Sequence, residues 1–369
     1  MHIKELDYLK GVMIILVIAF HLVYFEHLYP YAKQVVYTFH MPVFLVISGY
    51  LMNISKKWSA FLLTIIGLVI PYLVMESGYI VMASLLPINE HIDRLTVGLF
   101  FDKLLLHPLG PYWYHHTLIL CGLTYYGVFS RCAAMNFLTR FILVGLVFYL
   151  FSYVLSIISF PLAMYFLMGA VLRQSQTGFT RFFHSSAFTI LAFALLICEQ
   201  VYLNPATLGG LLIVYLVISG CLFLFRYSHQ TVNNFICFLG RNSLLLYVFS
   251  PIFTILCKQM IPYLTFDKTG ILFLITSLIV CVSGSLAIGY LMDLLRISPL
   301  FFMKHRVVSP ISPNKWTCSA FLLYTGFKMF DHNDKQQGNP ADNFIIRLFK
   351  RLSSCCPNCL KPIARTTKP

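Results

Sequence analysis

The stretch Lys10-Gly-Val-Met-Ile-Ile-Leu-Val-Ile-Ala-Phe-His21 decides the fold class, because two ionisable residues bracket ten uncharged ones. A run of this kind predicts the start of a membrane-spanning helix. The eleven-residue spacing makes about three helical turns, so both side chains should share one face, roughly 16 Å apart along the axis. Ionisable groups are costly in lipid and mark functional sites by default. The structural alternative is that Lys10 extends to the membrane surface while His21 bonds a neighbouring helix.

The composition extends the membrane prediction to the whole chain. Of the 369 residues, 59% are hydrophobic and only 11% are charged, and the mean hydropathy is +0.78. Soluble proteins carry about 25% charged residues, so the composition excludes a soluble enzyme. The apolar stretches are about 20 residues long and lack strict alternation, which favours helices. The sequence therefore predicts an all-α polytopic membrane protein.

The apolar stretches predict about ten transmembrane helices. Alternate connections, together with the N-terminal residues, hold ten Lys and Arg, whereas the opposite connections hold five. Because basic residues favour the cytoplasmic side, both termini are predicted to be cytoplasmic, with Lys10 at that face and His21 toward the outer half. The predicted spans cover residues 11–25, 39–54, 59–85, 111–129, 137–157, 160–173, 186–203, 207–225, 235–257 and 270–295.

Charge divides the chain into a membrane-embedded domain, residues 1–296, and a basic cytoplasmic tail, residues 297–369. From residue 296 onward lie twelve of the 27 Lys and Arg. Residues 344–352 carry an apolar stripe beside basic residues, which predicts a short amphipathic helix on anionic lipid, with a disordered tail as the alternative. In this membrane context, no nucleic-acid partner is expected. The cysteines clustered in residues 355–359 lack a clear fourth ligand, so no metal site is predicted.

Two histidines are candidates for proton transfer, because imidazole ordinarily titrates near neutrality. His21 is the preferred base. His40, at the outer end of the second predicted span, is interpreted as a second base, a partner of His21 or a structural cap. Lys10 is the candidate for contacting the phosphates of a donor. The predicted catalytic set is therefore His21, Lys10 and His40.

Further side chains are candidates for substrate binding. Ser48 follows His40 by eight residues, so its hydroxyl falls deeper on the same predicted helix. The pair Ser48-Gly49 is equally typical of a notch that lets the first two helices approach closely. Tyr112 and Trp113 form either an interfacial aromatic belt or a stacking platform for a sugar ring.

Two carboxylates and one loop complete the polar features. Glu76 and Glu199 lie within predicted spans and need partners, since buried charge is costly. The longest predicted outer loop, residues 87–110, is polar enough to meet a hydrophilic substrate, and an ordinary solvated loop is the alternative. The sequence contains no Walker-type phosphate loop, paired zinc-ligand motif or Gly-rich dinucleotide turn.

Four local segments carry a recognisable pattern. They read Leu6-Asp-Tyr-Leu-Lys-Gly11 followed by His21, Phe39-His-Met-Pro-Val-Phe-Leu-Val-Ile-Ser-Gly-Tyr50, Gly110-Pro-Tyr-Trp-Tyr114 and Leu239-Gly-Arg-Asn-Ser-Leu-Leu-Leu-Tyr247. In this order and spacing they resemble the acyltransferase-3 family of integral-membrane O-acyltransferases, especially its fucose-4-O-acetylase-like branch. The resemblance covers about residues 1–296.

The resemblance implies transfer of an acyl group, expected to be acetyl, from cytosolic acyl-CoA to a hydroxyl of a surface-polysaccharide sugar. It implies acetyl-CoA as donor substrate, a carbohydrate acceptor, no bound cofactor and residence in the bacterial inner (plasma) membrane. Lys10 and His21 match the family's basic-x10-His signature, and Asn242 of the fourth segment is a candidate for substrate binding.

Two positions depart from the family pattern. The family usually has Arg where this chain has Lys10, and Lys lacks the guanidinium fork that binds phosphate at two points. The family commonly has His where this chain has Ser250. Two rival hypotheses fit the same features. Ten spans with buried polar groups suit a transporter or flippase of a glycan intermediate, and Ser250 slightly favours a non-catalytic protein of polysaccharide assembly.

Overall fold

The computed structural model describes residues 3–85 and 90–310, and within those ranges the regular structure is helical. The all-α prediction is therefore confirmed. The predicted tail helix and the clustered cysteines lie outside the described residues. The helices are α1 (Lys4–Ala19), α2 (Val23–Leu28), α3 (Pro30–Leu51), α4 (Trp58–Leu85), α5 (Val97–Leu105), α6 (Trp113–Arg131), α7 (Phe137–Tyr149), α8 (Phe160–Gln174), α9 (Phe179–Phe182), α10 (Phe188–Leu196), α11 (Leu208–Tyr227), α12 (Gln230–Arg241), α13 (Ser243–Cys257), α14 (Ile261–Leu264), α15 (Ile271–Leu294) and α16 (Ser298–Phe302).

Six stretches of the described chain are long and apolar enough to cross a membrane. They support a polytopic membrane protein, while the count of about ten spans and the side of each terminus stay predictions. The six stretches are Pro30–Leu51, Trp58–Leu85, Phe137–Val154, Leu208–Tyr227, Ser243–Leu264 and Ile271–Leu294.

Three predicted spans differ from the helices observed, and two of them lie in the second half of the chain. In place of a span over residues 186–203, α10 has nine residues and is followed by a turn. At 1.5 Å per residue, α10 is too short to cross about 30 Å of hydrocarbon. Glu199, predicted within that span, is exposed at the turn. The predicted span over residues 235–257 is divided at Asn242 into α12 and α13.

The first predicted span, residues 11–25, is also broken. α1 ends at Ala19, and α2 begins after two residues of turn. The backbone N–H of His21 donates to the carbonyl of Ile18 at 3.2 Å, one residue later than a continuing α-helix requires. His21 therefore lies at a helix end. Its backbone N–H does not bond to the Val17 carbonyl, which can accept a hydrogen bond from a side chain instead.

Glycine contacts bring two helix pairs unusually close. On α1 and α12, a Cβ added at Gly11 would overlap the carbonyl oxygen of Ile236, and one at Gly240 would overlap that of Asp7. On α3, a Cβ at Gly49 would overlap a backbone carbonyl of α8. The predicted notch at Ser48-Gly49 thus admits α8, whereas the prediction that it joins the first two helices is wrong.

The predicted outer loop contains α5, which folds back over α4. The Thr96 hydroxyl caps this helix by accepting the N–H of Leu99 at 3.2 Å. The Tyr72 hydroxyl of α4 donates to the Leu104 carbonyl at 2.7 Å, which fixes α5 in place. The fully buried Glu76 accepts the N–H of Leu109 at 2.6 Å and so gains a partner that the sequence could not name.

Candidate functional site

A cavity of about 360 Å³ lies beside the break between α1 and α2. Its walls come from the end of α1, the first turns of α3, the turn before α6 and the helix α13. Three of the four segments singled out in the sequence meet here, through His21, Pro111 and Tyr247. The polar and aromatic residues that line it are His21, Glu26, Lys33, Tyr37, Tyr79, Glu90, Tyr247, Ser250, Thr254 and Lys258.

The His21 ring is held by the helix end itself. Its Nδ1 lies 2.7 Å from the Val17 carbonyl oxygen. A carbonyl only accepts, so Nδ1 carries the proton and Nε2 is the accepting nitrogen. The break in α1 supplies this orientation, because the last carbonyls of a helix lack backbone donors. The arrangement presents a fixed imidazole, with its basic nitrogen defined, at the wall of a cavity.

His40 repeats this arrangement one helix away. Its Nδ1 donates to the Val36 carbonyl at 2.7 Å, so Nε2 is again the accepting nitrogen. The residue lies in the middle of α3 and is 4% exposed, whereas the sequence placed it at the end of a span. The Tyr37 ring contacts both imidazoles, at centroid distances of 5.0 Å from His40 and 6.0 Å from His21. The two predicted bases therefore share one aromatic neighbour.

An ion pair positions Tyr37. The Glu26 carboxylate, buried after α1 breaks, lies 3.0 Å from the Lys33 ammonium. The Lys33 ammonium also lies 5.3 Å from the centroid of the Tyr37 ring, within the range of a cation–π contact. The Tyr37 hydroxyl donates to the Phe20 carbonyl at 3.1 Å. These contacts connect α2 and α3 around His21.

Lys10 lies in the middle of α1, about two turns before the residues of this helix that line the cavity. Its ammonium is 2.8 Å from the Asp7 carboxylate, and the Lys10 side chain is 21% exposed. Lys10 thus lies on α1 and His21 just after the end of that helix, and Lys10 is not among the residues that line the cavity. Any joint action of Lys10 and His21 needs a substrate long enough to reach both.

The predicted binding residues are distributed around the cavity rather than lining it. The Ser48 and Tyr114 hydroxyls are 2.8 Å apart, which joins α3 to α6. Tyr112 is 2% exposed, and its hydroxyl donates to the Val248 carbonyl at 3.0 Å. Trp113 is half-buried against the core. A stacking role for Tyr112 and Trp113 on a substrate stays a prediction, and in this structure the Tyr112 ring makes edge-to-face contacts with Tyr79 and Tyr247.

Asn242 occupies the junction of α12 and α13, away from the cavity. Its Oδ1 accepts the N–H of Ser309 at 2.8 Å, and its Nδ2 donates to the Phe238 carbonyl at 2.9 Å. Both the oxygen and the nitrogen of the Asn242 amide thus form hydrogen bonds with backbone groups. The predicted role of Asn242 in substrate binding stays a prediction. Ser250, by contrast, lines the cavity, so the position where the resembled family has His faces this space.

Sequence reasoning missed several cavity residues, and the chain carried a signal for some of them. Tyr37 precedes His40 by three residues, and Lys33 precedes Tyr37 by four, so the three share one face of α3. Glu90 lies in the loop 87–110 that was predicted to meet a hydrophilic substrate, whereas Lys258 gave no comparable signal. They reach the cavity from loops and helix ends that only the tertiary structure brings together.

Comparison with known proteins gives one finding. A family model described as an acyltransferase domain matches residues 3–290, which is well over half of the chain. Neither the curated proteins nor the solved structures gave a match. The matched range includes every residue of the cavity and all four segments singled out in the sequence.

Proposed function

The chain belongs to the acyltransferase-3 family of membrane acyltransferases, and we propose that it moves an acetyl group from cytosolic acetyl-CoA to a hydroxyl of a surface-polysaccharide sugar. The family membership confirms the prediction of an enzyme that transfers acyl groups, and it argues against the transporter hypothesis. The observation that carries the proposal is the fixed His21 imidazole at the wall of the cavity.

In the proposed reaction, His21 acts as the general base. Its Nε2 takes the proton of the acceptor hydroxyl while the hydroxyl oxygen attacks the thioester carbonyl. The resulting tetrahedral intermediate collapses, the carbon–sulfur bond breaks, and the CoA thiolate leaves and takes up the proton that His21 held. The Val17 carbonyl stabilises the imidazolium through Nδ1–H and fixes the tautomer throughout. This step needs no cofactor beyond the donor.

The cavity chemistry supports a carbohydrate acceptor. The lining combines three tyrosines with carboxylates and ammonium groups, and sugars are recognised by such a mixture of ring faces and hydrogen-bonding groups. A sugar hydroxyl seated against His21 would have Tyr37 and Ser250 nearby. We propose further that the protein resides in the bacterial inner membrane with both termini cytoplasmic, as its distribution of Lys and Arg indicates. The resemblance to the fucose-4-O-acetylase-like branch supports the same acceptor class.

The proposal is tested on the surface glycan. We expect a deletion strain to lose one O-acetyl group per glycan repeating unit, as measured by mass spectrometry. The wild-type gene should restore that group, and a His21→Ala gene should not. A glycan with unchanged mass in the deletion strain would contradict the proposed acceptor class.

Lys10 should act through its charge on the donor. Lys10→Ala is expected to raise the KM for acetyl-CoA about tenfold, since one charge-assisted contact to a phosphate is lost. Lys10→Arg should retain most activity, because Arg keeps the positive charge and stands in this position in most of the family. Steady-state kinetics on purified protein measure both values. If Lys10→Arg is as impaired as Lys10→Ala in equally stable protein, charge is not the role of Lys10.

A further inference from the structure

Hydrogen bonds hold the last described segment, residues 303–310, against α15 and the junction of α12 and α13. The Asp293 carboxylate at the end of α15 accepts the N–H of Val307 at 2.8 Å and that of Val308 at 3.1 Å. It also accepts the hydroxyl of Ser298 at 2.5 Å. The Asp293 carboxylate thus binds groups that precede residues 304–306 in the chain and groups that follow them.

Asn242, at the junction of α12 and α13, forms further hydrogen bonds with the same segment. The N–H of Ser309 donates to Asn242 Oδ1 at 2.8 Å, and Asn242 Nδ2 lies 3.4 Å from the Ser309 carbonyl. Arg241 adds a bond from Nη2 to the Pro310 carbonyl at 3.0 Å. Since α12 also packs on α1 through Gly240, these hydrogen bonds fix the position of the segment relative to α1.

Close packing fixes the start and end of the segment as well. A Cβ at Gly67 of α4 would lie 2.8 Å from the Phe302 carbonyl oxygen, and one at Gly289 of α15 would lie 3.0 Å from a Val308 methyl group. The Phe302 backbone therefore lies directly against α4, and the Val308 side chain packs against α15. Because the backbone of the segment is already ordered, the segment loses less conformational entropy when it binds a ligand.

The fastened segment exposes three basic residues in sequence, Lys304, His305 and Arg306. Its first cation, Lys304, lies within electrostatic reach of Lys10. The Lys304 side chain reaches solvent, but the protein around it partly desolvates the ammonium, and the positive charge of Lys10 adds to this, so the pKa of Lys304 is lowered. The like charges of Lys304 and Lys10 repel each other, and an anion bound to both would relieve that repulsion.

We infer that Lys304 and Arg306 bind the phosphate groups of the CoA donor and hold them beside Lys10. This inference rests on the proposed function, in which the donor comes from the same face as Lys10. Lys10 already pairs with Asp7, so its charge is partly neutralised before any donor arrives. CoA carries several phosphate charges, and an ammonium with a guanidinium supplies strong, directional donors to them. Residues 304–306 lie beyond the matched residues 3–290.

The test measures binding of CoA itself to the full chain in nanodiscs of neutral lipid, by calorimetry. Replacing both residues, Lys304→Ala with Arg306→Ala, should weaken CoA binding at least about tenfold, as expected from losing two charge-assisted contacts at an exposed site. A matched control replaces two exposed cations elsewhere, Lys57→Ala with Arg131→Ala, and should leave binding within about twofold. Thermal unfolding of each variant checks that it remains folded.

Turnover assays separate this inference from the proposed function. S-acetylpantetheine carries the same thioester without the CoA phosphates, so wild type and double variant should use it equally. Equal CoA binding by both proteins would overturn the inference. So would a difference that appears only in nanodiscs containing anionic lipid, since the residues would then bind lipid headgroups. If wild type binds CoA through these residues yet transfers no acetyl group, the inference holds and the proposed reaction fails.

Discussion

Replacing His21 with Ala is expected to lower the rate of acetyl transfer by about 10²-fold to 10⁴-fold, the contribution typical of a general base. The reason is geometric, because the break after Ala19 and the 2.7 Å bond to the Val17 carbonyl present the accepting nitrogen of this ring to the cavity. Transfer of labelled acetyl from acetyl-CoA by purified protein measures the rate. Folding should change little, because the ring sits at the cavity wall and holds only one carbonyl.

Two further substitutions sharpen this test. In His21→Gln the side-chain amide can still donate to the Val17 carbonyl, but it accepts no proton at neutral pH. This variant should therefore be as inactive as His21→Ala and should unfold at the wild-type temperature. His184→Ala removes an exposed histidine elsewhere and should be fully active. Activity near the wild-type level in well-folded His21→Gln would show that the ring is structural, as the alternative interpretation holds.

The same assay distinguishes the roles of the two histidines. His40 has the same bond to the carbonyl four residues earlier, but it is almost fully buried and reaches His21 through Tyr37. A positioning role predicts that His40→Gln lowers the rate less than His21→Gln does. If the two losses were equal, His40 would share the proton-transfer step.

Composition was enough to predict the class of fold, because a chain that is 59% hydrophobic and 11% charged has few alternatives to membrane helices. The helix boundaries at residues 59–85 and 270–295 agree closely with α4 and α15, both of which are long and predominantly apolar. The breaks at His21 and Asn242 were not predictable from hydropathy. Each break is accompanied by polar contacts with residues distant in the chain, and a local hydropathy pattern carries no information about such contacts.

The site was predictable where its residues lie on one helix and not where tertiary structure assembles them. Spacing along α1 identified His21, and the fourth segment contained Tyr247, which reaches the cavity. The ion pair of Glu26 with Lys33 joins two helices across a turn whose shape depends on the break in α1. Lys258 enters from the end of α13, more than 200 residues from His21 in the chain, and has no sequence signal connecting it to the cavity.

The glycine contacts give a physical reason for the spacing of the sequence segments. Gly11 follows Lys10 in the first segment, and Gly240 lies in the fourth, and these glycines face each other where α1 packs on α12. On α3, Gly49 of the second segment makes the equivalent contact with α8. Helices approach this closely only where small residues remove the side chain between the backbones. Glycine in these segments is therefore required for packing, while His21 is the residue that we propose for the chemistry.

Replacing Gly240 with Ala should accordingly be among the most damaging small substitutions in the chain. Its new methyl group would overlap the Asp7 carbonyl oxygen, and backbone cannot move aside as a flexible side chain can. Separating α1 from α12 should cost about 3 kcal/mol, the upper part of the usual range for over-packing. The midpoint of thermal unfolding in detergent should fall by at least about 5 °C. Protein that still inserts should lose activity about 10²-fold, because α1 carries Lys10 and ends just before His21, and a shift of about 1 Å misplaces both.

Gly78→Ala provides the matched control for this prediction. Gly78 also lies inside a helix, but a Cβ added there meets no atom within 4 Å. The helix propensity of Ala then makes this change neutral or slightly stabilising. The two variants differ only in whether the methyl group meets a neighbouring helix, so their difference isolates the contact between α1 and α12. Equal unfolding temperatures for Gly240→Ala and Gly78→Ala would mean that the two helices can separate without cost, and the positioning of His21 by α12 would then have to be abandoned.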